Sequence, residues 1–209
     1  MPVETLDIHT ITLFALRWIH FLAGITWIGL LYFFNFVNVP FGKTMDAETK
    51  KKVVPQLMPR ALWWFRWSAM VTFLVGWIYV IWKLYIATDA GMKGTGGLLT
   101  STWGHWISFG GLLGSIMWFN VWFIIWPNQK KIIGWVKAGQ APPEMAATVK
   151  RAFLTSRLNT YLSVPMLFAM GAASHLPSFN ILTVGITLIV GFAIARHVIK
   201  ISDKVAAGA

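Results

Sequence analysis

The chain contains no cysteine. That excludes disulfides, thiolate metal sites, iron–sulfur ligation and covalent CxxCH haem attachment. Charge is scarce as well: only 12% of residues are Asp, Glu, Lys or Arg, where soluble domains carry roughly 25%. No Asp or Glu falls inside a long apolar run. A proton- or sodium-coupled carrier generally relays through a buried carboxylate, so that class is disfavoured. No HExxH-type metal motif occurs. The first residues, MPVETLDIHT, hold neither a basic stretch nor a small-residue cleavage site, so the first apolar run reads as a span rather than a removable leader.

What is present is apolar surface in long blocks. The composition is 56% hydrophobic with 13 tryptophans, and a spanning helix needs about 20 mostly apolar residues. Five such spans are predicted, at about 11–37, 61–86, 105–126, 152–175 and 181–199. The expected fold is an all-α integral membrane bundle, with residues 1–209 forming one transmembrane domain. Segments 46–57 and 142–154 mix lysines with apolar residues and read as short helices lying at the headgroups, a partner-docking surface being the other reading. The stretch 88–103 is rich in Gly and Thr and predicts an irregular loop.

The net charge of +11 is not spread over a face that nucleic acid would recognise. Fifteen of the 18 basic residues fall in the loop between spans one and two, the loop between spans three and four, and the C-terminal end. Those segments alternate regularly with segments that carry no net charge. This is the positive-inside pattern, and it predicts the N-terminus outside and the C-terminus in the cytoplasm. The expected setting is a bacterial inner membrane crossed several times. The lipid bilayer is the partner the pattern implies, and nucleic acid is not one.

Within that frame the histidines stand out. His20 lies about nine residues into span one, roughly 13 Å deep at 1.5 Å per residue. His105 opens span three and His175 closes span four, so all three belong to the outer side. His9 precedes span one and reads as a surface residue. His197 ends span five on the inner side, where it meets the helix dipole. Imidazole in hydrocarbon is costly without a partner, so an intramembrane histidine cluster is a candidate site. Neutral imidazole is a good axial ligand for haem iron. With no cysteine in the chain, a b haem on two of His20, His105 and His175 is the cofactor this pattern suits best. The pair favoured is His105 with His175, whose helix ends can face one another. Taken singly, each of these two also suits an interfacial histidine reaching the headgroups. Arg17, one turn above His20, either reaches the headgroups or pairs with a haem propionate.

Small residues flank the histidines. Gly24, one turn from His20, leaves room for a flat macrocycle or a neighbouring helix. In span three, Gly110 and Gly114 form a GxxxG pattern, which is a helix-packing device before it is a haem slot. Pro165 is expected to kink span four.

Three runs then carry a resemblance: RWIHFLAGITWIGLLYF in span one, HWISFGGLLGSIMWFNVWFIIWPNQKKII in span three and SRLNTYLSVPMLFAMGAASHLP in span four. Together they resemble the membrane domain of bacterial membrane-bound urate oxidases (urate hydroxylases). The most specific elements are Asn120, the run Pro127, Asn128 and Gln129, and the triplet Asn159, Tyr161 and Pro165. His20, His105 and His175 fall inside the matching runs. The resemblance implies an inner-membrane oxidoreductase that passes electrons to a c-type cytochrome. Full-length members carry a C-terminal cytochrome c domain, which a chain without cysteine does not contain. Three functions follow as expectations. The first is a haem b protein transferring electrons toward a periplasmic c-type cytochrome. The second is a membrane urate oxidase acting with a separate cytochrome c. The third is a non-catalytic accessory subunit of a larger membrane redox complex.

Overall fold

The computed structural model describes residues 7–87 and 97–208. Among the described residues the chain is all helical, with no strand. Five long helices follow one another: α1 Ile8–Thr44, α2 Ala47–Ile86, α3 Thr102–Ala138, α4 Met145–His175 and α5 Ile181–Gly208. Four of them, α1, α2, α3 and α5, are long and apolar enough to cross a membrane, which makes this a multi-pass membrane protein.

Local chemistry starts and stops these helices. Asp7 caps α1, accepting from the His9 and Thr10 amides at 3.0 and 3.1 Å. Asp46 caps α2 through the Thr49 amide at 2.9 Å, and Ser101 caps α3 through Gly104 at 3.0 Å. Such caps satisfy amides that have no partner within the helix. Gly139, at φ 67°, ends α3 in the left-handed conformation that glycine adopts without strain. Asn180 and Thr183 cap α5 reciprocally, each side chain taking the other's amide at 3.0 Å.

The Asp46 cap carries a pH signature. The Thr49 amide, helped by the Thr49 hydroxyl, holds the Asp46 carboxyl below the usual carboxylate range. A carboxyl whose folded pKa is depressed stabilises fully above its unfolded value and loses that contribution as pH falls through the folded one. Asp46→Ala is therefore expected to lower the thermal midpoint modestly at pH 7, with the gap to wild type closing as pH falls below the carboxylate range. A gap that stays constant with pH would show that the ionised Asp46 carboxylate is not what stabilises this helix end.

Side-chain contacts fix the topology. Phe34 on α1 meets Phe65 on α2 edge-on, while nearer the start of α1 His20 meets Thr72, so the two helices are antiparallel. Asn120 meets Asn159, and Trp106 reaches Ser178, so α3 and α4 are antiparallel too. Gly191 of α5 lies so close to α4 that a Cβ there would sit 2.8 Å from Pro165 Cδ. Lys43 pairs with Asp203 at 3.0 Å, which ties the ends of α1 and α5 together. The result is an up-and-down bundle in which the basic segments share one end, here the basic end. The core joins Trp27, Leu31 and Phe34 of α1, Leu62, Phe65 and Ala69 of α2, and Leu113, Met117 and Val121 of α3, with Met166 of α4. The outward faces stay apolar, as with Phe14, Ile25, Ile181 and Ile189; lipid, not water, is the medium such faces fit.

Three features depart from the sequence expectations. Residues 46–57 form no separate surface helix: from Ala47 they are the beginning of α2, and Pro55 and Pro59 lie inside it. The physical reason is packing, since Val54 and Met58 close against the core that includes Ile133 on the extension of α3. Similarly, 145–154 is the start of α4, following a turn in which the Met145 amide donates to Pro142 O. The helices are consequently longer than their apolar runs. The 40 residues of α2 extend about 60 Å at 1.5 Å per residue, roughly twice a hydrocarbon core. Third, α1, α2 and α3 each contain a wider π-helical stretch, at Phe33–Asn38, Trp82–Ile86 and Asn120–Ile125. Each inserts extra residues into the turn and re-registers the helix faces beyond it. Of the loop expected at 88–103, residues 88–96 lie outside the described residues; 97–101 form a turn.

Candidate functional site

The end opposite the basic loops holds His20, His105 and His175, as the charge pattern predicted. They do not form one cluster: among the described residues no group of three His, Cys, Asp or Glu side chains is placed to hold a metal ion. His20 belongs to the α1–α2 seam. Its Nδ1 lies 2.9 Å from Thr72 O, and its ring lies so close to Gly76 that a Cβ there would come within 2.9 Å of Cε1. Gly24 meets only Thr72 of the neighbouring helix, so of its two expected uses the structure displays helix packing.

His105 lies on the first turn of α3 and His175 on the last turn of α4, at the same end of that helix pair. His105 Nε2 lies 2.9 Å from Leu99 O, with the Phe179 ring 5.2 Å away. His175 Nδ1 lies 2.9 Å from Gly171 O in its own helix, and the residue is exposed. The Trp106 indole anchors the α3–α4 seam by donating to Ser178 O at 3.0 Å. Gly110 lets α4 approach, with Ala169 and Met170 against it, while Gly114 meets nothing within 4 Å. The GxxxG pattern is therefore half used. His9 is partly buried beside Trp82, ring to ring at 6.2 Å, and His197 is exposed near the basic end of α5.

The carbonyl contacts determine the histidine tautomers. A carbonyl oxygen only accepts, so the ring nitrogen facing it carries the proton in neutral imidazole, and the other keeps its lone pair. His20 and His175 then offer Nε2, and His105 offers Nδ1. A ligating histidine typically donates its second ring N–H to just such a carbonyl. Nε2 points away from the main chain, whereas Nδ1 adjoins Cβ; the His175 ring is exposed, while the His20 ring lies against Gly76. Each neutral imidazole therefore keeps one nitrogen lone pair, the donor that an axial haem ligand would need. Two shallow cavities, of about 180 and 120 Å³, are lined by none of these histidines: one is at the basic end near Gln129, the other between α4 and α5.

A cationic pair lies above His20. Arg17 donates to the Tyr79 hydroxyl and stacks over that ring, 5.2 Å from its centre. Lys83, one turn beyond Tyr79 in the π-helical stretch of α2, is 8% exposed. Its Nζ sits 4.3 Å from the centre of the Trp103 ring, and the Arg17 charge is near enough to act on it. The only ion pair among the described residues is Lys43–Asp203 at the other end. Charge counting alone placed Lys83 on this side without revealing that it is buried; its position inside an apolar run was the available signal.

Toward the basic end, a polar network crosses α1, α3 and α4. Asn120 donates to Asn159 Oδ1 at 2.8 Å, and Asn159 donates to Met117 O at 3.0 Å. Asn35 donates to Ser156 Oγ at 2.9 Å, and Tyr32 shares a hydrogen bond with Ser163 at 3.0 Å. Asn159, Thr160 and Ser163 are fully buried. Tyr161, by contrast, turns toward α5, edge-on to Phe192.

The family model described as urate oxidase N-terminal matches residues 95–206, slightly more than half of the chain. The chain belongs to the urate oxidase N-terminal family. The matched part of this family member runs from the turn before α3 to the end of α5 and contains His105, His175, Asn120 and Asn159. Arg17, His20 and Lys83 lie before it. No curated protein and no solved structure matched the chain.

Proposed function

We propose that this chain is the membrane part of a urate-oxidising oxidoreductase that works with a separate c-type cytochrome. The observation that carries the reading is membership of the urate oxidase N-terminal family. In this reading α4 is a fifth span, shielded by its neighbours, the N-terminus is outside, and the basic end faces the cytoplasm of a bacterial inner membrane. The histidine end then faces the periplasm, where a c-type cytochrome collects electrons. A b haem is the proposed cofactor, taken by two of His20, His105 and His175; when bound it supplies one-electron transfer between urate and the cytochrome. Arg17 and Lys83 supply positive charge for its propionates. The carbonyls of Thr72, Leu99 and Gly171 orient the imidazoles.

The test is cytochrome c reduction by membranes containing the chain, with and without urate, beside a reduced-minus-oxidised spectrum and a pyridine haemochrome assay of the purified protein. Urate-dependent reduction and a b-type signal near one haem per chain are expected. His20→Ala or His175→Ala should then remove the Soret band. Reduction without haem would overturn the cofactor. Haem without urate dependence would leave an electron-transfer protein. Neither signal would indicate an accessory subunit, whose partner complex should co-purify.

A further inference from the structure

At the basic end, outside the histidine site, one guanidinium has an unusual setting. Arg66 of α2 is partly buried, and its Cζ lies 4.0 Å from the centre of the Trp126 ring and 5.8 Å from those of Trp67 and Trp122. The cage is built from two helices. The Trp122 indole donates to Arg66 O at 3.1 Å, and Trp67 meets Trp122 edge-on at 5.4 Å. Indole faces attract a cation, but they offer no acceptor in the plane of the guanidinium, where its five N–H bonds point. Among the described residues no hydrogen bond or ion pair of this side chain occurs. Nε is covered and without a partner, while Nη1 and Nη2 are not among the covered atoms.

Depth identifies the missing acceptor. Arg66 lies near the basic end of the apolar run of α2, and Trp126 ends the apolar run of α3. Exposed Trp63 and Trp64 continue the aromatic band at that level, which is where tryptophans mark the headgroup boundary. Lys130, one turn beyond Trp126 on the same helix face, is exposed. The chemistry available at this level is phosphate, and a planar fork pairs with phosphate oxygens through two parallel hydrogen bonds. With Arg66 and Lys130 both cationic and no carboxylate among the described residues paired with Arg66, a headgroup that carries its own ammonium is repelled and one with net negative charge is favoured. The indoles then form an apolar floor for the first carbons of an acyl chain.

We propose that Arg66, held by Trp67, Trp122 and Trp126, binds the phosphate of an anionic phospholipid in the leaflet at the basic end. The inference is independent of haem and of urate; it uses only the proposed membrane orientation.

The test is quenching of tryptophan fluorescence in the full chain, reconstituted in vesicles of brominated phosphatidylglycerol or brominated phosphatidylcholine mixed with the unbrominated lipid. The expected result is about a tenfold preference for phosphatidylglycerol, the size that one hydrogen bond to a charged group supports. Arg66→Gln should bring the preference close to one, while Lys51→Gln, an exposed lysine elsewhere on α2, should leave it intact. Where Arg66→Gln fails to insert, Arg66→Lys keeps the charge without the fork and should still reduce the preference. Equal quenching by both lipids in wild type overturns the proposal, as does a preference that survives at Arg66 or falls equally at Lys51. Millimolar inorganic phosphate is expected to change nothing; if it erases the preference, the ligand is a soluble phosphate and the lipid assignment fails.

Discussion

Asn159→Leu is expected to destabilise the bundle by about 2–4 kcal/mol, the sum of two lost intramembrane hydrogen bonds and one stranded amide. Asn159 is fully buried and uses both halves of its amide, accepting from Asn120 and donating to Met117 O. Leucine has the same number of side-chain heavy atoms and a similar branching but makes neither bond, and the Asn120 amide is left facing hydrocarbon. At roughly 2–4 °C per kcal/mol for a chain of this size, the thermal midpoint in detergent should fall by roughly 5–15 °C. The Asn120→Leu, Asn159→Leu double variant gives the sharper check. With both partners apolar, no amide is stranded, so the double variant should cost less than the two single changes together. Strict additivity would mean the asparagines do not act as a pair.

Gly104→Ala is the second large effect. A Cβ at 104 would lie 2.2 Å from Leu98 O and 2.6 Å from Gly97 O. These are backbone atoms, so no side-chain rotation relieves the clash, and the turn before α3 has to move. The cost is expected near the upper end of overpacking, about 3 kcal/mol. The same turn holds the Ser101 cap and the Leu99 carbonyl that orients His105, so the variant should also disturb any chemistry that depends on His105. Gly114→Ala is the matched control. Its Cβ meets nothing within 4 Å, and alanine favours a helix by up to about 1 kcal/mol over glycine. Thermal midpoints of the two variants in the same detergent decide the matter; equal midpoints would show that the turn before α3 yields freely.

The end of the bundle that the candidate histidines share was legible in the chain itself. His20, His105 and His175 were assigned to one end because charge alternation depends on sequence order alone, and the structure gathers all the basic segments at the other end. Lys83 was harder to recognise. A lysine near a span end normally reaches for water, and its burial beneath Trp103 arises only once α3 starts beside α2. Arg66 was counted simply as one more cation of the basic side, since no local pattern signals that Trp122 and Trp126 of another helix will close over it. Asn120 and Asn159 carried the family resemblance, but their hydrogen bond spans 39 positions and follows from helix pairing rather than from spacing.

Composition and the order of charges were enough to establish a helical membrane protein, where its apolar runs lie, and which segments share an end. Those properties depend on composition over windows of about 20 residues and on the sign of the loops between them. Packing in three dimensions sets the His20 ring against Gly76, away from His105 at the start of α3 and from exposed His175 at the end of α4. It also decided that the segments expected to lie on a membrane surface are extensions of α2 and α4. The physical reason is that helix pairing and rotation depend on how ridges, glycines and π-helical turns fit across different helices. That fit is a relation between distant residues, and no single window of the chain contains it.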